Sequence, residues 1–222
     1  MGEKSQTMKN ILKLSMGEEI ANVVSHGIMS LLSLCILPYV AVISYIKGGA
    51  LLSASNSVFI ISLFFMFTGS TLYHSMAHDT KHKLVFRILD HIFIYFAIAG
   101  TYTPFCFNAM TGGWRWSMLG LIWGLAVLGI VFKLFYLKED GAGHLSTLLY
   151  VGMGWTAIFA LPQLLDNLPA NAIWGMALGG IIYSAGAVIF GLKRPNFHRH
   201  FNFHDLWHIF VLAGSGVHFW VV

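Results

Sequence analysis

The stretch "NFHDLWHIFVLAGSGVHFWVV", residues 202–222, places His204 and His208 four positions apart, with Asp205 between them, where a long apolar run begins. An unpaired polar or ionisable group buried there costs roughly several kcal/mol, so the rest of the chain is expected to supply partners. The run itself has the length of a membrane crossing, which takes about 20 mostly apolar residues. The first question is whether other segments of the same kind exist to surround it.

They do. The chain has 222 residues, of which 57% are hydrophobic and only 10% charged, against roughly 25% charged in an ordinary soluble domain. Windows with the length and character of a span fall at about 20–46, 51–76, 84–107, 114–137, 144–161, 170–192 and 204–221. The breaks carry turn or polar signals: "KGG", "HDTKHK", "NAMTGG", "KEDGAG", "PQLLDNLP" and "KRPNFHRHFN". Little is left over for a soluble region. The expectation is an all-α membrane protein, a single seven-transmembrane-helix bundle over residues 1–222. The first apolar run is long and lacks a small-residue cleavage site, so it is read as a retained span.

Charge orients the bundle. With the N-terminus cytoplasmic, the inner segments hold Lys4, Lys9, Lys13, Lys81, Lys83, Arg87, Lys133, Lys138, Lys193, Arg194 and Arg199, and only Lys47 and Arg115 fall outside. That asymmetry is the positive-inside pattern, and an odd number of spans puts the C-terminus outside. Trp114, Trp116, Trp174 and Trp220 then fall near the outer boundary, as an aromatic belt does. The net charge of +4 sits in short clusters between apolar runs; it reads as a topology signal, and no nucleic-acid partner is expected. Cys35 and Cys106 lie in apolar stretches with no CxxC spacing and are read as free thiols. "GMALG" (Gly175 to Gly179) and "LAGSG" near the end offer small residues for close helix contact.

On this topology the polar residues gather at one depth. The second span ends "GSTLYHSMAHD", so Ser70 and His74, at i and i+4, share a face near its cytoplasmic end. The third starts "RILDHIF", which puts Asp90 at the same level, and the last starts with His204 and His208. Each has a bland explanation alone: bystander histidines, a helix-capping Asp90, a Ser70 bonded back to its own helix. Their joint placement by charge count is what points to function, since ionisable groups inside spans mark functional sites by default.

Two histidines at i, i+4 can reach one metal. A third histidine from another helix with one open position describes a catalytic zinc site. His74, His204 and His208 are therefore the candidate ligands, Asp90 the partner of a metal-bound water rather than a fourth ligand, and Ser70 a hydrogen-bond partner for a group behind the ligands or for the substrate. On the first span Glu19, Asn22 and His26 form one stripe facing the inner half, read as a buried polar network that locks that helix to the bundle. His78, His82, His198 and His200 are read as solvated loop residues, and His91 as pointing about 100° away from Asp90. His218, about 15 Å beyond His208 along the helix, belongs to the outer half.

"EEIANVVSHG", "STLYH", "LDHIFIYFAIAGTYTPF" and "HDLWHIFVLAGSGVHF" together resemble the bacterial hemolysin III-related proteins of the progestin and adipoQ receptor superfamily, in order and across essentially all the spans. The resemblance implies a seven-helix bundle with its N-terminus inside, in the bacterial cytoplasmic (inner) membrane. It also implies a Zn2+ site in which His74, His204 and His208 bind, Asp90 holds a water and Ser70 supports. Related alkaline ceramidases hydrolyse a lipid amide with such a site.

Three function classes follow. One is a zinc-dependent hydrolase of a lipid amide or ester, with a membrane lipid or acyl-chain substrate. A second is a non-catalytic sensor or regulator of membrane lipid state, with a structural zinc. The third, a pore-forming haemolysin, fits least, because a channel needs polar lining through the whole membrane and the strongly polar residues here cluster in the inner half.

Overall fold

A computed structural model of the chain describes residues 12–135, 142–198 and 201–222. Lys4, Lys9, Lys138, Arg199 and His200, the last two positions of the expected fourth span and the side chain of His144 lie outside the described residues. The protein is all-helical there, with one isolated bridge between His198 and Phe201. In chain order the helices are α1 (Met16–Ser75), α2 (Lys81–Ala109), α3 (Gly112–Phe135), α4 (Ala142–Trp155), a 3₁₀ segment (Thr156–Ala160), α5 (Leu161–Asn167), α6 (Ala170–Leu192) and α7 (Phe203–Val221).

Five segments are long and apolar enough to cross a membrane: Met16–Ser75, Lys81–Ala109, Gly112–Phe135, Leu145–Asn167 and Ala170–Leu192. The protein is a multi-pass membrane protein. Large apolar side chains such as Leu31, Tyr45, Leu128, Leu148 and Ile181 are exposed around the bundle, the distribution expected when lipid is the outer solvent. Trp116, Trp174 and Trp220 are exposed as well.

α1 is two helical arms, 16–47 and 50–75, joined where the helix breaks at the expected "KGG" signal. Gly48 has φ −150° and ψ 16°, and Gly49 has φ +73° and ψ −165°. Only glycine adopts the latter conformation without strain.

The fifth expected span runs further than 144–161. Instead of stopping before "PQLLDNLP", the chain passes from α4 through the 3₁₀ segment into α5 and ends at Asn167. Proline at the first turn of a helix forfeits no hydrogen bond, so Pro162 starts α5 rather than breaking it. Tyr102 of α2 stabilises the unwound junction. Its hydroxyl donates to the Gly154 carbonyl at 2.6 Å and accepts from the Ala157 amide at 2.8 Å, which occupies backbone groups that a continuous helix would have paired.

The second arm of α1 packs on α2, α2 on α3, and α6 on α7, while α4 touches its neighbours more sparsely. The α6–α7 seam runs over small residues: an added Cβ at Gly179 would stand 2.2 Å from the His218 ring, and one at Gly175 2.3 Å from Val221. The open side near α4 leaves a cavity of about 890 Å3. Cys35 and Cys106 are free, the first exposed and the second buried.

Gly49→Ala meets no atom within 4 Å, so its effect isolates backbone strain. Stability in detergent is expected to fall by about 1–3 kcal/mol, read as a lower midpoint of thermal unfolding.

Candidate metal centre

Four helix ends meet at one end of the bundle, and local capping explains why they start there. Ser15 caps α1 in a capping box with Glu18, and Asn202 caps α7 in a capping box with Asp205. The Asn202 side-chain amide also donates to the Glu18 carboxylate, so the two caps are tied to each other. Thr80 caps α2 by accepting from the Lys83 amide at 3.1 Å. Asp90 therefore has no capping duty.

Between these ends lie His74 from the end of α1 and His204 and His208 from the start of α7. One ring nitrogen from each comes within 4.8 Å of the others. His74 and His208 are buried and His204 half-buried. His74 Nε2 and His204 Nε2 stand 3.3 Å apart. Two nitrogens, each about 2.0–2.1 Å from a tetrahedral centre, are separated by about 3.4 Å, so this pair has the spacing of two ligands on one ion. The cluster can hold a metal ion.

The outer partners favour the ligand tautomer. His74 Nδ1 lies 2.7 Å from Glu19 Oε2. A carboxylate only accepts, so Nδ1 carries the proton and Nε2 keeps its lone pair turned toward the other imidazoles. The other Glu19 oxygen accepts from Lys83 Nζ at 2.7 Å, and His78 Nε2 is 3.0 Å from it. Lys83 is fully buried and sits 4.4 Å from the centre of the Tyr73 ring, a cation–π contact. Asn22 faces the Asp205 carboxylate, and the His26 ring stacks on His208 with centroids 4.0 Å apart. The stripe of Glu19, Asn22 and His26 thus reaches the histidine cluster rather than lipid.

Asp90 stands outside the three-nitrogen cluster and shares the cavity with Ser70, His26, His204 and His208. Ser70 stands beside its carboxylate on the same cavity. Gly69 makes this approach possible, since an added Cβ there would lie 2.5 Å from Phe93 and 3.5 Å from Asp90 Cα. Two readings of loop and neighbouring histidines change: His78 pairs with Glu19, and His91 lines the same cavity as Asp90, its Nδ1 donating to the Arg87 carbonyl at 2.7 Å.

Residues 14–219 match the model of the family described as Haemolysin-III related. The chain belongs to that family. It is 39% identical to Hemolysin-3 of Bacillus cereus over 222 residues, covering 100% of this chain and 96% of that one. It is 40% identical to the Hemolysin-3 homolog of Bacillus subtilis strain 168 over 205 residues, 92% of each. A more distant similarity, 26% over 161 residues, links this haemolysin-III-related chain to the human monocyte to macrophage differentiation factor, with 71% of this chain and 64% of that protein covered.

Sequence reasoning missed Lys83 as a site neighbour and counted it only as a topology charge. No pattern marks it, because its burial depends on Glu19 arriving from 64 residues away. Glu19→Gln is expected to weaken metal affinity about 10- to 100-fold, measured by competition with a chelator. It also leaves Lys83 without a counter-charge, so stability falls. Adding Lys83→Met should restore the thermal midpoint and leave the affinity low.

Proposed function

We propose that the protein is a zinc-dependent hydrolase of the bacterial cytoplasmic membrane that cleaves an amide or ester of a long acyl chain. The observation that carries this reading is the convergence of three imidazoles beside a largely apolar cavity that two of them, His204 and His208, line together with a separate carboxylate, Asp90. Seven crossings follow if the two arms of α1 count separately and α7 is included. α7 is only 19 residues long and bears Asp205 and three histidines, the polarity expected where a site is built into a span. Lys13, Lys81, Lys83, Arg87, Lys133, Lys193 and Arg194 belong to the site end, and this supports a cytoplasmic site.

His74, His204 and His208 would hold the zinc; imidazole suits zinc among several divalent metals. A metal held there supplies Lewis acidity toward a carbonyl oxygen and acidifies water. The protein's own groups do the rest. An Asp90 carboxylate oxygen accepts the proton of the attacking water and returns it to the amine or alcohol that leaves. The Ser70 hydroxyl fixes that carboxylate in place. A cavity of about 890 Å3 lies within the range of about 300–1,000 Å3 for small-molecule sites, and its apolar walls, including Ile94, Ile98, Ile173 and Met176, suit an acyl chain.

His208→Ala is expected to lose the metal, measured by elemental analysis of the purified protein. Asp90→Asn should keep the metal and lose hydrolysis of acyl amides and esters, followed by mass spectrometry of the released fatty acid. Undiminished release by the Asp90 variant would refute the assignment. A metal-loaded wild type that releases nothing would favour a regulator with a structural zinc.

A further inference from the structure

Two cations enter the cavity with no ion-paired acid among the described residues. Lys133 lies in the apolar helix α3 and is only 5% exposed. Arg87 of α2 is half-buried and lines the same cavity. Among the described residues no carboxylate lies within ion-pair distance of either. Arg87 repels Lys133, and Asp90, an acid on the same cavity, attracts both. Among the described residues that line the cavity, Arg87 and Lys133 stand against one carboxylate, Asp90, which leaves an excess of positive charge in a largely apolar space. An ammonium group held inside a membrane protein is costly and functional by default. Lys13 and Lys193, both exposed, line the same cavity and add to its positive field.

Much of the remaining lining is apolar, including Met66, Ile94, Ile98, Ile173 and Met176. Arg87 sits one turn before Asp90 on α2, about 4.5 Å nearer the start of that helix. The geometry points to a phosphate-binding subsite: Arg87 and Lys133 hold the anionic headgroup of an acyl lipid whose chain fills the apolar part of the cavity. Phosphate fits better than a single carboxylate, because it can carry two charges against two cations and because guanidinium matches its oxygens bidentately. This deepens the hydrolase reading and rests on it for the step that follows binding. The substrate class it names is an anionic phospholipid with the phosphate on the leaving-group side of the scissile amide or ester.

Native mass spectrometry of the full chain in a nonionic detergent tests the subsite without reading turnover. The probes are 1-palmitoyl lysophosphatidic acid, 1-monopalmitoylglycerol with the same chain and no charge, and inorganic phosphate. The wild type is expected to retain the lysophosphatidic acid more than about tenfold more tightly than the neutral lipid. Arg87→Gln and Lys133→Gln should each remove most of that preference and leave monopalmitoylglycerol binding unchanged, whereas Arg87→Lys and Lys133→Arg should keep it. Equal retention of the two lipids by the wild type overturns the subsite, and that comparison needs no variant to fold. Displacement of the lysolipid by inorganic phosphate at matched concentration overturns the lipid as its source. A wild type that prefers the anion yet hydrolyses no lipid supports the subsite while the hydrolase reading falls. Hydrolysis without any preference for the anion does the reverse.

Discussion

One carboxylate, Glu19, joins the elements on which the candidate metal centre depends. It accepts from His74 at the end of α1 and from Lys83 at the start of α2, and it reaches both from the opposite arm of α1. A fully buried lysine is tolerable only with a close counter-charge, and an imidazole presents a chosen nitrogen only when the other is occupied. The same two oxygens meet both requirements. Folding the arms of α1 against α2 and setting the tautomer of His74 are thus one event. The paired caps, with Asn202 bonded to Glu18, bring α7 and its two histidines to the same place.

The bundle divides its packing unevenly, and the division makes room for chemistry. Along α6 and α7 glycines let rings such as His218 lie almost against the opposing backbone, so that seam is closed. Around α4 contacts are sparse and the helix unwinds at Trp155. The backbone groups released there find the Tyr102 hydroxyl instead of water. The result is a largely apolar cavity whose lining also carries histidines, Asp90 and two cations, Arg87 and Lys133. An amphiphile lying in it would meet charge with its head and hydrocarbon with its tail.

Much of the fold was readable along the chain, because hydropathy and turn chemistry are local. The "KGG" break, the boundaries of Ala170–Leu192 and the small-residue seam of α6 and α7 needed only periodicity and glycine placement. The end of the fifth segment was misjudged for an equally local reason, since a proline in the first turn of a helix looks the same in sequence as one that terminates it. The histidine cluster was legible because His74 stands near the end of one apolar segment and His204 and His208 near the start of another, and position along a segment is a one-dimensional quantity.

Lateral position is different: it depends on which faces pack, and that is settled by contacts between residues far apart in sequence. Nothing in the spacing of Glu19 and Lys83 announces that they share a bond, that His26 stacks on His208, or that Arg87 and Lys133 face one cavity. The sequence by itself determined which segments are apolar enough for lipid and near which end of each segment its polar residues lie. The tertiary structure decided which of those residues meet, because buried charges find partners only once helices have closed around them.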